Sequence, residues 1–181
     1  MSKNNIVVDF SKITKYIILE VFHKNIIYRI ILKAIVMKYN CEIEIDLPLK
    51  RVIELFDDSN NLSKWQPGLV SFEHISGEPG QAGAKSRLKY KMGKRNIEMI
   101  ETITIRNLPE EFSSTYEAKG VFNLVNNNFT ELSMSKTKWI TENEFQFSGF
   151  MKIIGMLMPG TFKKESQKYL MQFKEFAESN G

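Results

Sequence analysis

Between residues 37 and 178 the chain runs through two kinds of hydrophobic spacing. Residues 37–47 put Met37, Tyr39, Cys41, Ile43, Ile45 and Leu47 on one side. Lys38, Asn40, Glu42, Glu44 and Asp46 fall on the other, the period of two that marks a half-buried strand. Pro48 then opens a helix through Asp57, with Leu49, Val52, Ile53, Leu55 and Phe56 as its buried side. Residues 58–65 predict a second, short helix, broken by Pro67 and Gly68. Six strands are predicted over 69–77, 84–92, 95–106, 112–118, 121–132 and 136–147. The sharpest is 84–92, where Ser86, Leu88, Tyr90 and Met92 oppose Lys85, Arg87, Lys89 and Lys91. Residues 160–178 switch to helical spacing: Phe162, Tyr169, Leu170, Phe173, Phe176 and Ala177 share one face, and Pro159 occupies the first turn, where a missing N–H costs nothing. The arrangement that buries all these faces is an α+β domain, a curved antiparallel sheet with one long amphipathic C-terminal helix across it.

Residues 1–36 read differently. They are rich in Ile and Lys and show no period of two. Ile26, Ile27, Ile30, Ile31, Ala34 and Ile35 share a helical face, but Glu20, His23, Lys24, Arg29 and Lys33 interrupt the apolar run, so a spanning helix is disfavoured. This N-terminal extension is expected to be a loosely docked arm or an amphipathic helix giving weak membrane-surface contact through residues 16–36. Alternatively it is an artefactual start, with translation beginning at Met37.

Composition narrows the chemistry. The chain has 181 residues, 43% of them apolar, and a net charge of +4, which suits one domain and does not by itself indicate nucleic acid. One cysteine and two histidines exclude an intramolecular disulfide and leave little for a metal centre. No nucleotide loop, zinc spacing or nucleophile triad is visible, so neither cofactor nor metal is expected. The early apolar stretch lacks a cleavage site, which makes a cytoplasmic location the default expectation.

The order of elements, strand, two helices, six strands, long helix, brings a resemblance with it. Leu47-Pro48 precedes the first helix, and Trp65-Gln66-Pro67-Gly68 precedes the second strand. Thr137-Lys138-Trp139 leads to Phe145-Gln146-Phe147, and the chain closes on Phe173-Lys174-Glu175-Phe176-Ala177-Glu178. With these features the region 37–178 resembles a bacterial branch of the helix-grip (SRPBCC, START-like) superfamily, which includes polyketide cyclases, START lipid-transfer domains and the birch-pollen allergen type. The resemblance implies a seven-stranded antiparallel sheet gripping the last helix around an internal cavity for a hydrophobic or amphipathic small molecule, lipid-like or aromatic. The enzymes of that group share no universal catalytic motif, so no catalytic residue is carried over.

Large side chains on the apolar faces suggest the wall of such a cavity: Tyr90, Met92, Met99, Tyr116, Trp139 and Phe145 from the strands, Phe162 and Tyr169 from the last helix. Plain core packing explains the same residues equally well. Residues 150–158, rich in Met, Ile and Leu and punctuated by Gly149, Gly155 and Pro159, suggest a gate or a membrane-touching edge, with Met156 at the cavity, or else a segment buried against the sheet. Glu101 is the anomaly, since it lies in phase with Ile97, Met99, Ile103 and Ile105. Pointing inward, its carboxyl would be desolvated and able to act as acid, base or ligand anchor. A β-bulge turning it outward is the alternative toward which the pattern leans. Lys85, Arg87, Lys89, Lys91, Lys94 and Arg95 form a basic band best explained as a solvated strand face. His74 is expected to be structural, and the asparagines at 123 and 126–128 are expected to mark a bulge or turn. Three functions follow: ligand binding in the cavity, a cyclase- or dehydratase-type enzyme using Glu101, His74 or tyrosines, and an interaction module with a filled core.

Overall fold

The computed structural model describes residues 35–181, and the chain divides between Ala34 and Ile35. The expectations for the N-terminal arm therefore lie outside the described residues. Strand β1 (Ile35–Ile45) is followed by helix α1 (Leu49–Asp57), a 3-10 turn (Ser59–Asn61) and helix α2 (Leu62–Trp65). Strands β2 (Leu69–Ser76), β3 (Lys85–Met92), β4 (Arg95–Asn107), β5 (Glu111–Ala118), β6 (Val121–Ser133) and β7 (Lys136–Phe147) come next. Helices α3 (Met151–Leu157) and α4 (Pro159–Ser179) close the chain. All seven strands form one antiparallel sheet in the order β1-β7-β6-β5-β4-β3-β2, so β1 and β2 are its two edges.

Helix α4 lies closest to edge strand β1. An edge strand offers backbone groups with no ladder partner, and α4 supplies partners from its own side. Gln167 Nε2 donates to Glu42 O at 3.0 Å and Lys174 Nζ to Glu44 O at 2.6 Å, while Asp46 N donates to Glu178 Oε1 at 2.7 Å. Gln167, Lys174 and Glu178 are seven and four residues apart, two turns and then one, so they line a single stripe of the helix. Tyr39 and Ser166 share a hydroxyl–hydroxyl hydrogen bond of 2.9 Å on the same flank.

Beside this seam sits the aromatic core. Phe173 is wholly buried, with Trp65 and Trp139 edge-on at 5.1 and 5.2 Å and Phe56 at 5.9 Å. Trp139 stacks on Phe129 at 5.5 Å, and its indole N–H donates to Asn127 Oδ1 at 3.1 Å. Asn127 in turn donates to Phe112 O, so a polar pair is satisfied within an otherwise apolar cluster. The asparagines mark no turn: β6 runs unbroken through all of them, and period two points Asn123 and Asn127 to the concave side.

Helix α3 covers the opposite end of the β6–β7 pair. Gly155 rests flat on the wholly buried Phe147, and a Cβ there would lie 2.6 Å from the ring. Phe147 also meets Phe162 at 4.9 Å, tying α3 to the start of α4.

Two outcomes follow for stability. Phe173→Ala should lower the unfolding free energy by about 3–5 kcal/mol in urea titrations, because rings on three sides cannot collapse into the space. Gly155→Ala should destabilise despite alanine's better helix propensity, by about 1–3 kcal/mol, since the Phe147 ring has nowhere to move.

Candidate functional site

The concave face has two unlike halves. Toward α1, α2 and the second half of α4 it is filled by the aromatic core. Toward β3–β6, Ile97, Met99, Glu101, Tyr116, Val121 and Asn123 keep part of their surface accessible, although they sit in mid-sheet. The seating of α4 along β1 leaves this half less covered.

A cross-strand row runs through it. Ser86 pairs with Glu101, Glu101 with Tyr116, Tyr116 with Asn123, Asn123 with Phe145 and Phe145 with Met37. Directly paired residues share a face, so period two brings a carboxyl, a phenol and an amide together. Tyr116 Oη donates to Glu101 Oε1 at 2.7 Å. Ser114, one step along β5 on the same face, is close enough to favour the ionised carboxylate but stands outside hydrogen-bonding geometry. Its hydroxyl and Asn123 Oδ1 are buried polar atoms without a partner among the described residues. On the β3 side Tyr90 Oη donates to Gln66 Oε1 at 2.5 Å.

Glu101 points inward because of where the strand irregularity falls. The bulge in β4 lies between Ile103 and Ile105, beyond Glu101. It turns Ile105 out to 43% exposure and leaves Glu101 in phase with Met99. Desolvation pushes the Glu101 carboxyl above its ordinary value, with the Tyr116 hydrogen bond opposing. Burial raises the Tyr116 phenol well above its ordinary value, and the neighbouring Glu101 charge adds to this. Tyr90 is raised by burial and then by Tyr169 and Glu101. Tyr169 is raised by burial and then by Glu165. These shifts describe a poorly solvated polar cluster in which the Glu101 carboxyl is drawn toward its neutral form.

The residues expected at the wall separate into groups. Glu101 and Tyr116 touch, and Tyr90, Met99 and Tyr169 lie on the surrounding faces. Phe145 and Phe162 meet at 5.1 Å at the α3 end. Trp139 is instead 3% exposed in the packed core, since β7 crosses under α4 at that point. Met92 is 39% exposed at the end of the β3–β4 hairpin. Met156 is 64% exposed, because α3 seats Gly155 against the sheet and turns Met156 away. Within residues 150–158 the chain forms helix α3, Met151–Leu157. Ser114 and Gln66 were not singled out from sequence; Ser114 carried a signal, its shared phase with Tyr116, while Gln66 lies outside any periodic segment. In the basic band, Arg87 pairs with Glu73 at 3.1 Å and with Glu98 at 3.4 Å. His74 faces Ser86 across the β2–β3 ladder and is exposed.

A separate groove of about 660 Å³ runs outside α1, lined by Leu49, Ile53, Asp57, Pro109 and Glu131 among others. It contains none of the expected wall residues. Among the described residues no acid, histidine or cysteine cluster could hold a metal ion, and no helix is long and apolar enough to cross a membrane.

No protein-family model matches the sequence, and no curated protein matches it. Solved structures do match by shape. The Zhui aromatase/cyclase from Streptomyces sp. R1128 superposes with a TM-score of 0.66 at 12% identity, over 80% of this chain and 94% of that one. Truncated norcoclaurine synthase from Thalictrum flavum gives 0.64 at 10% identity, over 80% and 95%. A conserved protein from Geobacillus kaustophilus gives 0.66 at 18%, over 79% and 96%. Residues 35–181 therefore have the helix-grip fold, as the order of elements implied, and likeness at these identities speaks for fold alone.

The Glu101 shift sets a pH dependence. A carboxyl whose folded pKa lies above its unfolded value binds its proton more tightly when folded, so stability falls as pH rises from the ordinary value of 4.5. Glu101→Gln should thus raise the melting temperature relative to wild type at neutral pH. That advantage should shrink as the pH is lowered toward 4.5.

Proposed function

We propose that the less covered half of the concave face is a cavity that binds an amphipathic small molecule. Its apolar body lies against Met99, Phe145 and Phe162, and one polar group reaches the Glu101–Tyr116 pair. The observation that carries this reading is a desolvated carboxyl hydrogen-bonded at 2.7 Å on the concave face, beside an Asn123 oxygen that has no partner among the described residues. Polar atoms at such depth cost free energy unless something satisfies them. A ligand hydroxyl, amine or carbonyl would do so, and Glu101 when neutral can donate as well as accept.

A catalytic reading rests on the same pair. A carboxyl raised above its ordinary value by desolvation, beside a phenol, is a group that could donate a proton. Two of the matching folds are named as an aromatase/cyclase and as norcoclaurine synthase. Binding is the more economical function, since it needs only the cavity and one polar anchor.

Two measurements separate these readings. Native mass spectrometry of the full chain purified from its own host should show a retained small-molecule mass, lost in Met99→Trp, which fills the space. The neutral probe N-phenylnaphthylamine should brighten with wild type and not with Met99→Trp, both proteins remaining folded. Equal brightening with both would remove the cavity from this half of the sheet. Glu101→Gln should weaken retention of the native ligand by up to about tenfold, the size of one buried hydrogen bond. A Glu101→Gln variant that retains ligand unchanged and accumulates it unconverted would favour catalysis over binding.

A further inference from the structure

We infer that the outer face of α3 and its flanks is a docking surface for an anionic lipid bilayer. Phe150, Ile153, Met156, Leu157 and Met158 are 72, 50, 64, 76 and 53% exposed. Phe150, Ile153 and Leu157 follow the spacing of three and four that makes one helical stripe, and Met156 and Met158 flank it. Packing does not require these residues to be apolar. The inward side of α3 is supplied by Met151, Ile154 and Gly155, with Gly155 on the Phe147 ring. A concentration of five large apolar side chains in nine residues is more than the scattered singles a soluble surface carries.

The occupant is indicated by charge. Exposed Lys163 and Lys164 stand on the first turns of α4, immediately after the patch. Exposed Lys119 sits in the β5–β6 turn, which is held against the start of α3 by Ser148 N donating to Gly120 O at 2.9 Å. From residue 158 to 168 the chain carries Lys163, Lys164 and Lys168, all exposed, against Glu165 alone, three minus one, a local charge of +2. An apolar wedge rimmed by cations matches the acyl boundary and phosphate layer of an anionic bilayer, and reversible anchoring needs both signals together. The docking does not rest on the ligand reading, although Phe147 and Phe162 place the patch next to that site.

The test uses the full chain and vesicles of phosphatidylcholine, with or without phosphatidylglycerol. Trp65 and Trp139 are 6 and 3% exposed, so Leu157→Trp adds the one indole among described residues that senses this face. Its emission should shift to the blue with phosphatidylglycerol vesicles and stay unchanged with phosphatidylcholine alone. The double variant Lys163→Gln, Lys164→Gln should lower partitioning onto anionic vesicles roughly 30-fold, from about a fivefold loss per surface cation. Phe150→Ser with Leu157→Ser should abolish the part of binding that survives high salt, with melting temperature unchanged because both side chains are exposed. Residues 1–34 are identical in every variant, so a loss maps to α3 and its rim. Wild-type partitioning in all variants would overturn the proposal. So would a Leu157→Trp emission already blue without vesicles and unmoved by them, which would assign the face to another part of this chain or to a second copy.

Discussion

The structure depends on how α4 is held. A helix laid across a sheet by apolar contact alone has no strong preference for one strand over another. Here the preference comes from hydrogen bonds to the unpaired backbone of β1, made by Gln167, Lys174 and Glu178 on one stripe of the helix. They do what a neighbouring strand would do, giving partners to groups that would otherwise rely on water. Once the helix is seated on that edge, its second half meets α2, and Phe173 closes the aromatic cluster against Trp65 and Trp139. Covering one side well leaves the β3–β6 side less covered.

That asymmetry gives the polar row its meaning. Ser86, Glu101, Tyr116 and Asn123 would be expensive in a filled core and unremarkable on an open face. They sit between those limits, with the Glu101 carboxyl desolvated and its residue still partly accessible. The contrast with Asn127 is instructive. Asn127 is satisfied on both sides, its oxygen accepting from Trp139 Nε1 at 3.1 Å and its nitrogen donating to Phe112 O at 3.0 Å. Asn123, four residues along the same strand and on the same face, leaves its oxygen without a partner among the described residues. One asparagine serves the fold, and the other stands where a guest could be served.

Much of this architecture was legible from periodicity. The boundaries of β3, β5 and β7 and of α4 fall within a residue or two of the expected ones, because alternation at Leu88–Tyr90 and the Phe162–Ala177 stripe are strong signals. The site was less legible. Period two put Glu101 on the inner face, but the strand slips by one residue near Thr104, and no residue type there announces on which side of the glutamate the slip must fall. Trp139 and Tyr116 have the same phase on their strands, yet one is sealed and the other reachable. That difference is set by the lateral position of α4, which no local pattern encodes. The exposure of Met156 was illegible for another reason: α3 is apolar on nearly every side, so its sequence lacks the polar face that would orient it. Only the glycine at position 155, read against Phe147, shows which way it lies.

The two rims of the sheet end differently, with a bearing on behaviour at high concentration. At the C-terminal end of β1 the outward carbonyls of Glu42 and Glu44, with Asp46 N just beyond, are bonded by α4 side chains. On β2 the ladder is interrupted twice, between Leu69 and Ser71 and between His74 and Ser76, so no long straight run of donors and acceptors is on offer. A fresh strand from another molecule would find one rim capped at its C-terminal end and the other crooked. A chain this rich in β structure is thereby guarded against templated growth into fibrils, and loosening the C-terminal helix would remove that guard before it unfolded the sheet.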